Sequence, residues 1–297
     1  MAALKDIRQK IVGVRKTKQI TKAMNMVASA KLRGAQARIE RFRPYAAKFH
    51  DMLSDLAGKV ESGAHPLLTV HEEAKVCVIV LVTSDRGLCG SFNANLINAA
   101  NKLAREKIQA GMAVQFICVG KKGRDFVRKA NYELLFGYGD RMGSFDFSLA
   151  HEVGMAVING YQDLAMDEVY LIYGEFVSMA RQTPVNLPLL PLQTPEAPAG
   201  GEAAASSAGA KSEYVYEPQE EALLAELLPR YVKVQIYRGM LDTSCSEHAA
   251  RMAAMDNATR NCDDMIRSLT RLFNKVRQAS ITSDLMDIVG GAEALKG

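Results

Sequence analysis

This sequence has no tryptophan and only nine prolines in 297 residues, and nowhere does it hold about 18 apolar residues in a row. The last absence excludes an apolar membrane-spanning helix. Cysteine is scarce too. The five (77, 89, 118, 245, 262) are odd in number, far apart and without a CxxC pair. That pattern argues against a disulfide framework or a zinc site and reads as reduced thiols in a cytosolic compartment. Five histidines (50, 65, 71, 151, 248) are equally scattered, so no metal-ligand cluster is legible. The opening "MAALKDIRQK" has no apolar signal core and is charged from its fifth residue, which argues against secretion.

Proline is also missing by region. Only Pro44 falls in the first 65 residues and none follows Pro229. Two proline-poor arms therefore flank a middle rich in turns. The first arm fits a heptad frame. Steps of 3 and 4 from Leu4 meet Ile7, Ile11, Val14, Lys18, Thr21, Asn25, Ala28, Leu32 and Ala35, and continue to Val60. Fourteen of the seventeen frame positions are apolar, and the exceptions, Lys18, Thr21 and Asn25, are consecutive. A helix of about 55 residues would run about 80 Å, a length that suits a coiled coil better than a compact domain. The last arm repeats the pattern from Leu224 to Val276, with thirteen of sixteen frame positions apolar. Beyond Val276 a new apolar stripe of Ile281, Leu285, Ile288 and Val289 precedes Gly290-Gly291, and it should meet another protein.

The middle alternates strand-like runs ("KVCVIVLVTS", "AVQFICVG", "YELLFGYG", "EVYLIYGEFV") with helix-like ones, which argues a small α/β domain with a mostly parallel sheet. The expected organisation is an N-terminal coiled-coil helix over 1–62, an α/β domain over 74–192, a flexible Pro/Ala/Gly/Ser linker over 193–213, and a C-terminal helix with its apolar tip over 214–297. The two arms would pair antiparallel as a shaft, with the Rossmann-like α/β domain mounted beside it.

Three features invite a sharper chemistry. The stretch "TSDRGLCGSFNANL" at 83–96 has the strand, glycine turn and helix outline of a phosphate loop. It lacks the lysine of a Walker-type site and the third glycine of a dinucleotide fingerprint. The plainer reading is a tight turn, with Ser91 or Asn93 capping the helix. Cys89 has no acid–base partner nearby in sequence to make it a nucleophile. Residues 1–49 hold thirteen Lys/Arg against Asp6 and Glu40, a net of +11 in a chain whose total is +4. Such an arm wants an acidic partner. Nucleic acid is one choice, disfavoured by the shortage of aromatics to stack on bases, and an acidic protein ring is the other. Finally, Lys18, Thr21 and Asn25 at core positions would weaken a coiled coil yet can fix its register, while Met24 and Met26 lie off the seam.

The segments "ITKAMNMVASAKLRGAQ" (20–36), "TSDRGLCGSFNANL" (83–96), "SEYVYEP" (212–218), "SEHAARMAAMDNAT" (246–259) and "NKVRQASITSDLMDIVGGA" (274–292) resemble, in this order, the gamma subunits of bacterial F-type ATP synthases. The resemblance implies a non-catalytic rotor without cofactor. Its partners would be three alpha and three beta subunits, an epsilon subunit and a ring of c subunits, at the cytoplasmic face of the inner membrane. By the same resemblance Met24, Arg251, Arg277, Gln278 and Thr282 would face a beta subunit. Ile281, Leu285, Ile288 and Val289 would sit in the ring's bearing. Tyr214, Tyr216 and Glu217 would form the foot toward the c ring and epsilon. Asn25 stands where many relatives carry glutamate, and the regulatory cysteine pair of the chloroplast branch is missing. Two readings from other classes are a nucleotide-binding α/β enzyme, which needs the 83–91 loop to hold phosphate, and a basic helical nucleic-acid-binding protein.

Overall fold

The computed structural model describes residues 2–57, 65–71, 74–192 and 220–294. The 193–213 linker, Tyr214, Tyr216 and Glu217 lie outside the described residues, as does Val60. Two long helices, α1 (Ala2–Ala57) and α5 (Glu220–Ala294), flank an α/β unit. In chain order that unit holds β1 (Val76–Val82), α2 (Phe92–Gln109), β2 (Ala113–Val119), α3 (Lys121–Lys129), β3 (Glu133–Tyr138), α4 (Phe147–Gln162), β4 (Glu168–Phe176) and β5 (Gln182–Leu190).

The five strands form one sheet in the order β3-β2-β1-β4-β5. Pairings of β1 with β2 and β4, and of β2 with β3, are parallel; β5 runs antiparallel to β4. Strand β1 is central, and "VCVIVLV" reads as an unbroken apolar run because both of its faces are covered: Cys77 through Val82 are all fully buried. On one face Cys77, Ile79 and Leu81 pack with Phe116 and Cys118 of β2 and with Phe92, Leu96 and Ala100 of α2. Strand β5, "QTPVNLPLL", was not among the expected strands. Pro184 and Pro188 argue against a strand in sequence, but β5 is an edge, where a missing N–H on the outer side leaves no ladder bond unmade.

By its contacts the chain divides into two compact units: Met1–Ala30 with Arg251–Gly297, and Lys31–Ala250. Each contains a part of both long helices, and in each the helices run antiparallel. In the larger unit Phe49 stacks on Tyr231 and Phe42 meets Tyr237 edge-on, at ring centroids 6.2 and 5.0 Å apart. In the smaller unit Lys18 faces Asp263 and Asn25 faces Met252. The seam expected for α1 is the one observed. Among the α1 residues whose burial is described, every buried one lies on the heptad frame: Ile11, Thr21, Ala28, Leu32, Ala35, Ile39, Phe49 and Leu53.

Candidate functional site

The glycine loop between β1 and α2 is held by the protein's own groups. The Asn93 side chain does not cap α2. Its Oδ1 accepts from the Ser84 backbone N–H at 3.1 Å, and its Nδ2 donates to Ser84 Oγ at 2.7 Å and to Cys89 Sγ at 3.1 Å. Ser91 occupies the position before the helix but makes no side-chain cap. Asp85 goes further. Its Oδ1 accepts the backbone N–H of Lys121, at the start of α3, and that of Asp140, both at 2.9 Å; Oδ2 accepts the Met142 N–H at 2.8 Å. Backbone N–H groups gathered at a helix N-terminus are what a bound phosphate would use. Here an internal carboxylate takes one such group, the Lys121 N–H of α3, together with two from the loop after β3. Gly120 is required beside it: its φ is +102°, and a Cβ there would lie 2.1 Å from the Thr83 carbonyl oxygen.

The sheet reverses its order between β1 and β4, the place where open α/β sheets form ligand crevices. That place is filled. The Phe92 ring comes within 2.6 Å of where a Gly174 Cβ would stand, so only glycine fits beneath it. Pairing of β4 with β1 ends at Ile172, and α5 takes the backbone groups beyond. Thr243 Oγ1 accepts the Gly174 N–H at 3.1 Å, and Ser246 Oγ donates to the Gly174 carbonyl at 3.0 Å. Nor do the thiols offer a nucleophile in this region. Cys89 is 2% exposed. Burial pushes Cys77, Cys118 and Cys245 each up to about 12, which keeps them protonated.

The polar break in the α1 seam is the better-built feature. Lys18 Nζ donates to Asp263 Oδ1 at 2.5 Å. The hydroxyls of Thr21 and Thr259 meet at 2.8 Å, and Asn25 Nδ2 donates to the Met252 carbonyl at 2.9 Å. Three successive frame positions on α1 thus each find a polar partner across the seam. A slip of one helical turn would leave all three without them, so this patch specifies register, the role polar core residues serve in coiled coils. Thr259 was on the C-terminal frame; Asp263, one residue off it, was not foreseen. Of the thirteen basic residues in 1–49, twelve are exposed and Lys18 is half-buried.

The residues singled out from sequence fall into two places. Met24 is half-buried beside Asn25, while Met26 is exposed. Arg251, half-buried, neighbours Met252, the partner of Asn25. Arg277, Gln278 and Thr282 are all exposed. Arg277 lies 26 residues beyond Arg251, about 39 Å along a helix. It stands one turn before Ile281, and Gln278 one turn before Thr282, so these three continue into the apolar stripe. There Ile281, Leu285, Ile288 and Val289 are 53 to 71% exposed. The pairing of Lys18 with Asp263 sets Leu4 level with about residue 277 if both helices rise equally. Exposure is continuous over 281–292.

Antiparallel helix pairing in each unit, a glycine loop whose polar groups pair within the protein, and a helix end left exposed are features of a helical scaffold. The comparisons with known proteins agree. Residues 3–295 match the family described as ATP synthase. Over 297 residues, the whole of both chains, the sequence is 68% identical to the ATP synthase gamma chain of Nitratidesulfovibrio vulgaris strain Miyazaki F. It is 55% identical to the gamma chain of Lawsonia intracellularis over 296 residues, again the full length of each. A chain of the Euglena gracilis mitochondrial ATP synthase, in the structure of its OSCP, F1 and c-ring in rotational state 3, shares the fold at TM-score 0.67 and 19% identity, covering 99% of this chain and 95% of that one. This chain belongs to the ATP synthase gamma-chain family.

Proposed function

We propose that this chain is the turning shaft of an F-type ATP synthase, a non-catalytic subunit. Proton flow through the membrane turns the ring of c subunits and the shaft with it. The shaft's uneven surface then favours a different conformation in each beta subunit of the alpha/beta ring, so that ATP is made where nucleotide binds on those subunits. A ligand shifts a conformational equilibrium only through differential contact with its states, and a rotating asymmetric helix pair supplies that difference. Membership of the gamma-chain family over residues 3–295 carries this reading. A register-locked seam and an uncovered helix end support it.

Within it, Met24 and Arg251 form one contact zone toward a beta subunit, and Arg277, Gln278 and Thr282 form another. Ile281, Leu285, Ile288 and Val289 turn in an apolar bearing made by the ring. Tyr214, Tyr216 and Glu217 make the foot toward the c ring and epsilon. No helix among the described residues is long and apolar enough to cross a membrane. The chain is held peripherally by its partners, at the cytoplasmic face of the bacterial inner membrane.

Reconstitution tests the reading. Mixed with separately purified alpha and beta subunits, the chain should form a stoichiometric complex whose ATP hydrolysis depends on it. Arg277→Ala should then lower coupled ATP synthesis severalfold while the unfolding midpoint of the isolated chain stays unchanged. A chain that ignores the ring, or an Arg277→Ala complex that synthesises at the normal rate, would overturn the shaft or the contact assignment respectively.

A further inference from the structure

Lys233 lies where α5 crosses α4 in the larger unit. Its stem runs over the α4 backbone at Gly154, the residue that leaves room for it: a Cβ there would stand 2.6 Å from Lys233 Cγ and 3.5 Å from its Cα. Lys233 is half-buried by that crossing, and Arg230, three residues earlier on the same face of α5, is exposed. Among the described residues Arg230 is the one charged group that acts on the Lys233 ammonium. Burial first, and the Arg230 guanidinium second, hold Lys233 below the ordinary lysine value. Lys107 of α2 is the opposite case. Burial opposes its charge, but hydrogen bonds to Glu168 and Tyr170 hold it above the ordinary value. An amine held low carries more free base at neutral pH, and only the free base has the lone pair that attacks a carbonyl. The shaft reading uses neither Lys233 nor Arg230.

We propose that Lys233 is a modification site at which an acyl phosphate transfers its acyl group to the side-chain amine, with Arg230 holding the donor's phosphate. A guanidinium takes phosphate oxygens through paired N–H donors, and Arg230 stands within a helical turn of the nucleophile. The Nζ lone pair attacks the acyl carbon. A C–N bond forms, the bond from that carbon to the bridging oxygen breaks, and inorganic phosphate leaves with the electron pair. The proton shed by the nitrogen passes to water. The donor is a mixed anhydride, so the step is a plain acyl transfer without change of oxidation state. The product amide is neutral, which removes one of two like charges that share a helix face.

The test incubates the full chain with acetyl phosphate and follows the acetyl load at each lysine by mass spectrometry over time. Lys233 should be acetylated severalfold faster than Lys22 and Lys31, which are exposed on α1, and Lys107 should be the slowest of the four. Arg230→Gln should lower the Lys233 rate severalfold with acetyl phosphate. With p-nitrophenyl acetate, which has no phosphate for Arg230 to hold, the same variant should lower it less. Arg230 is exposed, so the unfolding midpoint of the variant should match that of the wild-type chain. A Lys233 rate no higher than those of Lys22 and Lys31 would overturn the assignment of the site. An Arg230→Gln chain that loses nothing, or that loses equally with both donors, would overturn the role given to Arg230.

Discussion

Helix α5 passes through two environments. Between residues 231 and 250 it is covered nearly all round: Val232, Ile236 and Met240 are fully buried, as are the frame residues Val234, Leu241 and Cys245. Between 259 and 276 no residue is fully buried, and the half-covered ones, Thr259, Cys262, Asp263, Ile266, Leu269, Phe273 and Val276, form a single stripe. The first stretch meets α1 on one side and the sheet on another, where Leu171 and Tyr173 come within 3.4 Å of where a Gly239 Cβ would stand. The second has one partner. A helix with two partners is stabilised as part of a core, whereas one with a single stripe depends on a narrow seam and leaves the rest of its surface for others.

Truncations should separate the two stretches most strongly. Ile236→Ala removes a fully buried side chain and should cost about 2–5 kcal/mol in urea unfolding of the full chain. Leu269→Ala, on the half-covered stripe, should cost about 1 kcal/mol. Equal losses would dissolve the distinction between them.

A titration sharpens the same comparison. The Asp242 carboxyl, in the core-like stretch, sits at about 6 against an ordinary 3.8, chiefly through burial. Its folded-state value is the higher one, so the folded chain binds the extra proton between about pH 4 and 6. This group therefore favours folding as the pH falls through that window and opposes folding above it. Relative to wild type, Asp242→Asn should gain stability from pH 4 to pH 7 by on the order of 2 kcal/mol. Carboxylates held low by their partners, such as Asp167 beneath the Val76 and Lys75 N–H groups, act in the opposite sense and cancel in the difference. A difference that does not change with pH would show that folding leaves the Asp242 carboxyl at its ordinary value.

The smallest effect on stability belongs to the seam. Thr21→Val with Thr259→Val replaces both members of a hydrogen-bonded pair by groups of the same shape, and the net change should stay within about 0.5 kcal/mol. The Lys18–Asp263 pair, over a third exposed on each side, adds little stability of its own. The readout that should move is register. In a variant lacking all three polar pairs, disulfides engineered between α1 and α5 should form one turn out of step as well as in step. A single pairing would show that the apolar layers alone set the register.

The seam was legible because heptad spacing encodes one face of a helix, and each buried position among the described residues of α1 falls on it. Strand β1 was legible as an apolar run that only coverage on both faces tolerates. Strand β5 was hidden by its prolines, whose cost vanishes at an edge, and an edge exists only once the strand order is set. Asn93 looked like a helix cap because its preference is local, but Ser84 and Cys89 offered it better partners across the turn. The sequence by itself therefore determined which surfaces are apolar and how they repeat, since periodicity is a property of the chain. Only the tertiary structure decided that Asp85 of the glycine loop takes the N–H groups of Lys121, Asp140 and Met142, that Phe92 and α5 close the sheet's crevice, and that Asp242 faces a cavity. Each of those depends on residues distant in the chain, and spacing along the chain carries no record of which partner a side chain will meet.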